Sequence, residues 1–159
     1  MLLHSLWLAE RPNIGDGLKA ALLRQFSSPE ELYYCRESEL AALEMGGMTP
    51  EALEALGDKS LDGAEKTLEI CLKGGVSFLT PEDPKYPDRL RALYDAPVLL
   101  YYKGTLPEFD NLPTIALVGT RKASPYGLKT AQRLGGEIAR GGGLVVSGLA
   151  EGVDAAAML

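Results

Sequence analysis

The chain has 159 residues, 46% of them hydrophobic, and a mean hydropathy of −0.02. That is room for one domain or two small ones, with the balance of an ordinary globular protein. A formal net charge of −6 excludes a uniformly basic nucleic-acid coat, and no window approaches the roughly 20 apolar residues of a membrane span.

The first residues, MLLHSLWLAERP, carry no basic leader and read as the start of an amphipathic helix rather than a signal peptide. A cytoplasmic location, with no membrane association, is the expectation. Leu3, Leu6 and Trp7 share one helical face, with Trp7 assigned to the core. A break at Pro12–Gly17 follows, and Leu18, Leu22, Leu23 and Phe26 resume the helical spacing. Ser28-Pro29-Glu30-Glu31 is a helix start, with a hydroxyl cap, proline in the first position and acids in the first turn. Thr49-Pro50-Glu51 repeats the signal. SLDGAEKTLEICLKGG, residues 60–75, forms a last helix closed by Gly74-Gly75. Residues 1–74 are therefore expected to form a small helical domain.

The pattern changes at residue 76. VSFL (76–79) is a short strand, TPEDPKYPDRL (80–90) a proline-rich connection, and PVLLYYKG (97–104) a second strand. After the loop LPEFDNLP (106–113), TIALVG (114–119) is apolar at nearly every position, as in a strand covered by helices on both faces. GLKTAQRLGGEIARGGG (127–143) is a helix expected to turn Leu128, Ala131, Leu134, Ile138 and Ala139 inward, and LVVSG (144–148) is a fourth strand. Two buried-type strands joined through a helix make a βαβ unit, hence a parallel pair. Residues 75–159 are accordingly expected to be the first part of an α/β domain whose sheet is incomplete as given.

Charge is unevenly distributed. Residues 1–113 hold 11 Lys and Arg against 19 Asp and Glu. Residues 114–140 hold Arg121, Lys122, Lys129, Arg133 and Arg140 against Glu137 alone. In open α/β sheets ligands bind beyond the carboxyl ends of the strands. Two such ends occur here, Gly119-Thr120-Arg121 and Ser147-Gly148. Glycine lets backbone amides approach an anion, Thr120, Ser124 and Ser147 carry hydroxyl donors, and Arg121, followed by Lys122, offers a planar fork for phosphate oxygens. The two loops read as a phosphate site.

Other chemistries find little support. Neither G-x-G-x-x-G nor G-x-x-x-x-G-K-[ST] is present at these loops, and position 145 is Val where a GxSxG nucleophile would need Gly. With His4 as the only histidine and Cys35 and Cys71 far apart, no metal site, cofactor or catalytic set is expected, and both thiols are expected to be reduced. Two readings stay open at single residues. Tyr126 either packs its loop or offers a stacking platform for a base, and Asp154 either pairs locally or touches ligand.

ALVGTRKASPYG (116–127), a helix, and VVSGLAEGVDAAA (145–157) resemble the DNA-processing protein A family, DprA or Smf. The matching positions are Val118, Gly119, Thr120, Arg121, Ser124, Tyr126, Gly127, Val146, Ser147, Gly148, Leu149, Ala150, Gly152, Val153 and Asp154. KYPDRLRALYDAPVLLYYKG (85–104) also looks like the family's segment before its first core strand. NIGDGLKAALLRQFSSPEEL (13–32) is similar to its N-terminal domain. The family often has His where this chain has Met158.

The resemblance implies an α/β protein. A small N-terminal sterile-alpha-motif-like helical domain (1–74) would be followed by an incomplete Rossmann-like, mostly parallel sheet with helices on its faces (75–159). It implies non-enzymatic binding of single-stranded DNA, loading of a RecA-type recombinase in natural transformation, and a homodimer in the complete protein. Gly119, Thr120, Arg121, Lys122, Ser124, Tyr126, Ser147 and Gly148 form the expected DNA-phosphate site. The rival readings are a Rossmann-like nucleotide- or phosphate-binding enzyme and a protein-interaction module carried by the helical domain.

Overall fold

A computed structural model describes residues 2–159. The chain divides into two compact units, the first ending at Leu106 and the second spanning Pro107–Leu159. The division expected at residues 74/75 falls inside the first unit.

In the first unit, α1 (Leu2–Ala9), α2 (Asp16–Gln25), α3 (Pro29–Tyr34), α4 (Glu37–Ala41), α5 (Pro50–Gly57) and α6 (Asp62–Lys73) follow the order expected from sequence. The two hydroxyl–proline signals act as read. Ser28 Oγ accepts the Glu31 N–H at 3.1 Å, and Thr49 Oγ1 accepts the Ala52 N–H at 3.2 Å. The core gathers Leu6, Trp7, Leu8, Leu18, Leu22, Leu32, Leu40 and Leu56. Trp7 is fully buried, and its indole N–H donates to the Asp58 carbonyl at 2.8 Å, so burial leaves no orphan donor.

β1 (Ser77–Leu79) and β2 (Leu100–Tyr102) pair antiparallel with each other, Phe78 opposite Tyr101. Val98 and Leu99 join the helical core, and Phe78 packs against it. The change of pattern at residue 76 thus marks a change of secondary structure within one packed unit. The proline-rich connection contains a single turn of helix, α7 (Asp88–Arg91).

In the second unit, β3 (Thr114–Ala116) and β4 (Leu144–Val146) run parallel, with Thr114, Ile115 and Ala116 in register with Leu144, Val145 and Val146. They are joined through α8 (Pro125–Arg140), and α9 (Val153–Ala157) follows β4. This is the expected βαβ connection. Two burial expectations change. The run 114–119 is not covered on both faces: Ile115 in β3 is 42% exposed and Val118, beyond the strand, 71%. Helix α8 buries Ala131 and Gly135, while Leu128 and Leu134 are more than a third exposed and Ala139 is exposed. The physical reason is the close approach of α8 to α9. A Cβ on Gly135 would collide with the Ala157 carbonyl oxygen, so this crossing selects the smallest residues of α8 and leaves its large apolar ones aside. The core here is small: Ala131, Ala156 and Ala157, with Leu117 and Val153 packed on it.

Candidate nucleic-acid interface

The aligned register of β3 and β4 brings their carboxyl ends to one rim. The ladder continues one step beyond the strands, where the Leu117 N–H donates to the Val146 carbonyl at 3.0 Å. The Ser147 hydroxyl then donates back to the Leu117 carbonyl at 2.7 Å. From this point each chain leaves as a loop: 117–124 toward α8, and 147–152 toward α9.

Three features hold the loops together. Asp154, 6% exposed, lies between them. Its carboxylate accepts the Gly119 N–H at 2.9 Å through Oδ1 and the Gly148 N–H at 3.2 Å through Oδ2. The Gly119 N–H above all holds this carboxyl below the usual carboxylate range, overcoming the opposing effect of burial. Second, the Val153 N–H donates to the Thr120 carbonyl at 3.2 Å. Third, the backbones pass almost in contact at Gly152 (φ 93°, ψ −129°), where a Cβ would run into the Thr120 carbonyl oxygen and lie 2.8 Å from that of Arg121. Gly119 is equally constrained, since its Cβ would stand 2.7 Å from Val153 Cβ.

The expected site residues divide into two groups. Gly119, Ser147 and Gly148 are committed to the scaffold: both glycine amides already serve Asp154, and the Ser147 proton serves Leu117. Arg121, Lys122, Ser124 and Tyr126 are exposed, Tyr126 at 80%. Thr120, also exposed, turns the loop by accepting the Lys122 N–H at 3.1 Å through Oγ1. Ser124 Oγ accepts the Gly127 N–H at 3.2 Å and caps α8, whose first residue is Pro125. Among the described residues, no ion pair involves Arg121, Lys122 or Lys129, whereas Arg133 lies 3.8 Å from Glu137. The arrangement presents two exposed cations, two hydroxyls and an aromatic ring from one loop and one helix start. An anionic chain can be met there without first breaking an internal salt bridge.

Of the two readings left open from sequence, Asp154 pairs locally, and Tyr126 does not pack its loop. What sequence reasoning missed is the role of Gly152, matched above only as part of the family pattern, at the close crossing of the two backbones, and the pair Ser124-Pro125 as the true start of α8. The latter repeats the hydroxyl–proline signal of Ser28-Pro29 and Thr49-Pro50 and was legible in the same way. Among the described residues, no group of three or more His, Cys, Asp or Glu is placed to hold a metal ion, and no helix is long and apolar enough to cross a membrane.

Residues 77–159 match the family model described as DNA recombination-mediator protein A. The chain belongs to that family. Among curated relatives, the "Protein Smf" of Synechocystis is 30% identical over 155 residues, which cover 94% of this chain and 38% of that protein. The "DNA processing protein DprA" of Bacillus subtilis is 36% identical over 89 residues, 56% of this chain and 30% of that protein. The chain thus spans less than two-fifths of the curated relatives it matches. The crystal structure of DNA processing protein A from Streptococcus pneumoniae superposes with a TM-score of 0.61 at 22% identity, covering 99% of this chain and 52% of that one. That likeness carries the mixed α/β fold of this chain.

Proposed function

We propose that this chain holds single-stranded DNA through the rim formed by Thr120, Arg121, Lys122, Ser124 and Tyr126, and does so without chemistry. The observation that carries the reading is the exposed pair Arg121–Lys122, free of internal ion pairs among the described residues, on a loop braced by Asp154 and Gly152. Membership of a recombination-mediator family and relatives named for DNA processing support nucleic acid as the anion. Phosphates would be met by the Arg121 fork and the Lys122 point charge, and a base would stack on the 80% exposed Tyr126 ring. Gly119, Ser147 and Gly148 act as the frame of this rim.

In the complete protein this rim would be part of a soluble, cytoplasmic homodimer that protects incoming single strands. It would help load a RecA-type recombinase in natural transformation or recombination. The helical elements α1 to α6 would form its sterile-alpha-motif-like part, and the β3–α8–β4 unit the front of a Rossmann-like core.

Fluorescence anisotropy with a labelled single-stranded oligonucleotide tests the reading, comparing the wild-type chain with Arg121→Glu over a salt series and with duplex DNA as competitor. Each phosphate contact contributes about −0.7 to the slope of log affinity against log salt. Loss of Arg121 should flatten that slope by about one contact and weaken binding at least tenfold at low salt. Equal affinity and slope for both proteins remove the loop from the binding site. Saturable binding of a nucleoside monophosphate with turnover would replace this reading with the enzymatic one.

A further inference from the structure

The two strand-end loops are tied by a single carboxylate. Gly119 follows β3 and Gly148 follows β4, and these amides point at different oxygens of Asp154. Backbone amides at strand ends are the groups with which α/β folds commonly hold a ligand's phosphate. Here an internal anion occupies them. It is 6% exposed, and its carboxyl is held below the usual range chiefly by the Gly119 N–H. The same residue lies next to Val153, whose N–H holds the Thr120 carbonyl and whose side chain fills the space beside Gly119. On the first loop these contacts, at Gly119 and Thr120, lie one to two residues before Arg121. The bonds Asp154 makes therefore decide where the Arg121–Lys122 turn begins.

We propose that Asp154 is a positioning residue for polyanion binding. Its carboxylate takes the place of a bound phosphate at the Gly119 and Gly148 amides and so fixes the two loops in the binding arrangement before any ligand arrives. Two consequences follow. The rim meets DNA with the side chains of residues 120–126 and not with the strand-end amides. A free phosphate or mononucleotide finds those amides already taken, which makes Asp154 a specificity determinant as well. Its DNA arm rests on the function proposed above; its loop-order arm does not.

The test uses Asp154→Ala, which removes the carboxylate, and Asp154→Asn, which keeps one acceptor oxygen and turns the other position into a donor facing a donor. Circular dichroism first establishes that each variant is folded. Amide hydrogen exchange at Gly119, Gly148 and residues 120–124 reads the loops directly. Anisotropy reads affinity for a labelled single strand, with sodium formate titrated against sodium chloride at constant ionic strength. In Asp154→Ala, exchange at these amides should accelerate and single-strand affinity fall by roughly tenfold, the scale of one lost charge-assisted hydrogen bond. Formate, a carboxylate small enough to reach the vacated amides, should restore protection and affinity where chloride does not. Asp154→Asn should fall between wild type and Asp154→Ala.

Unchanged exchange at residues 120–124 in a folded Asp154→Ala variant overturns the proposal. So does an equal response to formate and chloride. If both variants fail to fold, Asp154 is a general stability residue and the positioning role falls as well. If the wild-type chain binds no single-stranded DNA, the proposed function falls. The exchange and formate measurements then still decide whether the carboxylate orders the loops.

Discussion

Gly152→Ala adds one methyl group and removes no charge, yet it should disorder the rim. Two costs combine. At φ 93° and ψ −129° the backbone lies where L-residues are strained by about 1–3 kcal/mol. The new Cβ would also overlap the Thr120 carbonyl oxygen and sit 2.8 Å from the Arg121 carbonyl oxygen. Both obstacles are backbone atoms, so no side-chain rotation relieves them, and the loops must separate. Separation stretches the 3.2 Å bond from the Val153 N–H to the same Thr120 oxygen, a loss of about 1 kcal/mol. The total is about 2–4 kcal/mol against the closed arrangement, equivalent to a roughly 30- to 1,000-fold loss of amide protection. Hydrogen exchange followed by NMR at Val153, Gly119 and Gly148 measures it, with amides of the α1–α6 core as internal reference. Exchange at these three sites within about threefold of wild type, with their chemical shifts unmoved, would refute the close-crossing account of the two loops.

Three further predictions follow from other contacts. Gly135→Ala should destabilise the second unit by about 1–3 kcal/mol although alanine favours helices, because its Cβ meets the Ala157 carbonyl. Gly136→Ala, which meets only the mobile end of Arg140 at 3.2 Å, should be neutral or stabilising; urea denaturation followed by hydrogen exchange separates the two. Ser124→Ala removes the acceptor of the Gly127 N–H and should cost about 1 kcal/mol, read as faster exchange in the first turn of α8.

Lys59 gives a pH test. Its Nζ is buried without a hydrogen-bond partner, 4.9 Å from the Trp7 ring centroid and 5.4 Å from that of Tyr33, and burial pulls its pKa below the ordinary lysine value of 10.5. Between the lowered value and 10.5 the unfolded chain binds more protons, so this residue makes stability rise with pH. The stability difference between wild type and Lys59→Met, from urea melts monitored by Trp7 fluorescence, should shift toward wild type as pH climbs through that window. A difference independent of pH would show that Lys59 titrates alike in both states.

Much of the local structure was legible because it depends on neighbours in sequence. Hydroxyl–proline pairs mark helix starts through a cap three residues long, and the helical periodicity through Leu18, Leu22 and Phe26 needs no knowledge of the partner face. The strands at 77, 100, 114 and 144, the parallel pairing of the last two, and the cationic loop at Arg121 all follow from patterns within short windows. What a residue faces is a different matter. Leu128 and Leu134 have the spacing of a buried stripe, but α8 crosses α9 on Ala131 and Gly135, and only the approach of two backbones selects that side. The apolar run at 114–119 specifies a strand but not what covers it, so Ile115 and Val118 remain exposed.

The sequence by itself determined the elements, the family signature and the placing of positive charge at one strand end. Tertiary structure alone decided which of the loop's polar groups are available. Gly119 and Gly148 look like ligand-binding glycines until Asp154, 35 positions beyond the first and 6 beyond the second, is seen to satisfy both amides. Hydrogen bonds between distant residues leave no periodic trace in a chain, because their partners are joined by the fold and not by spacing.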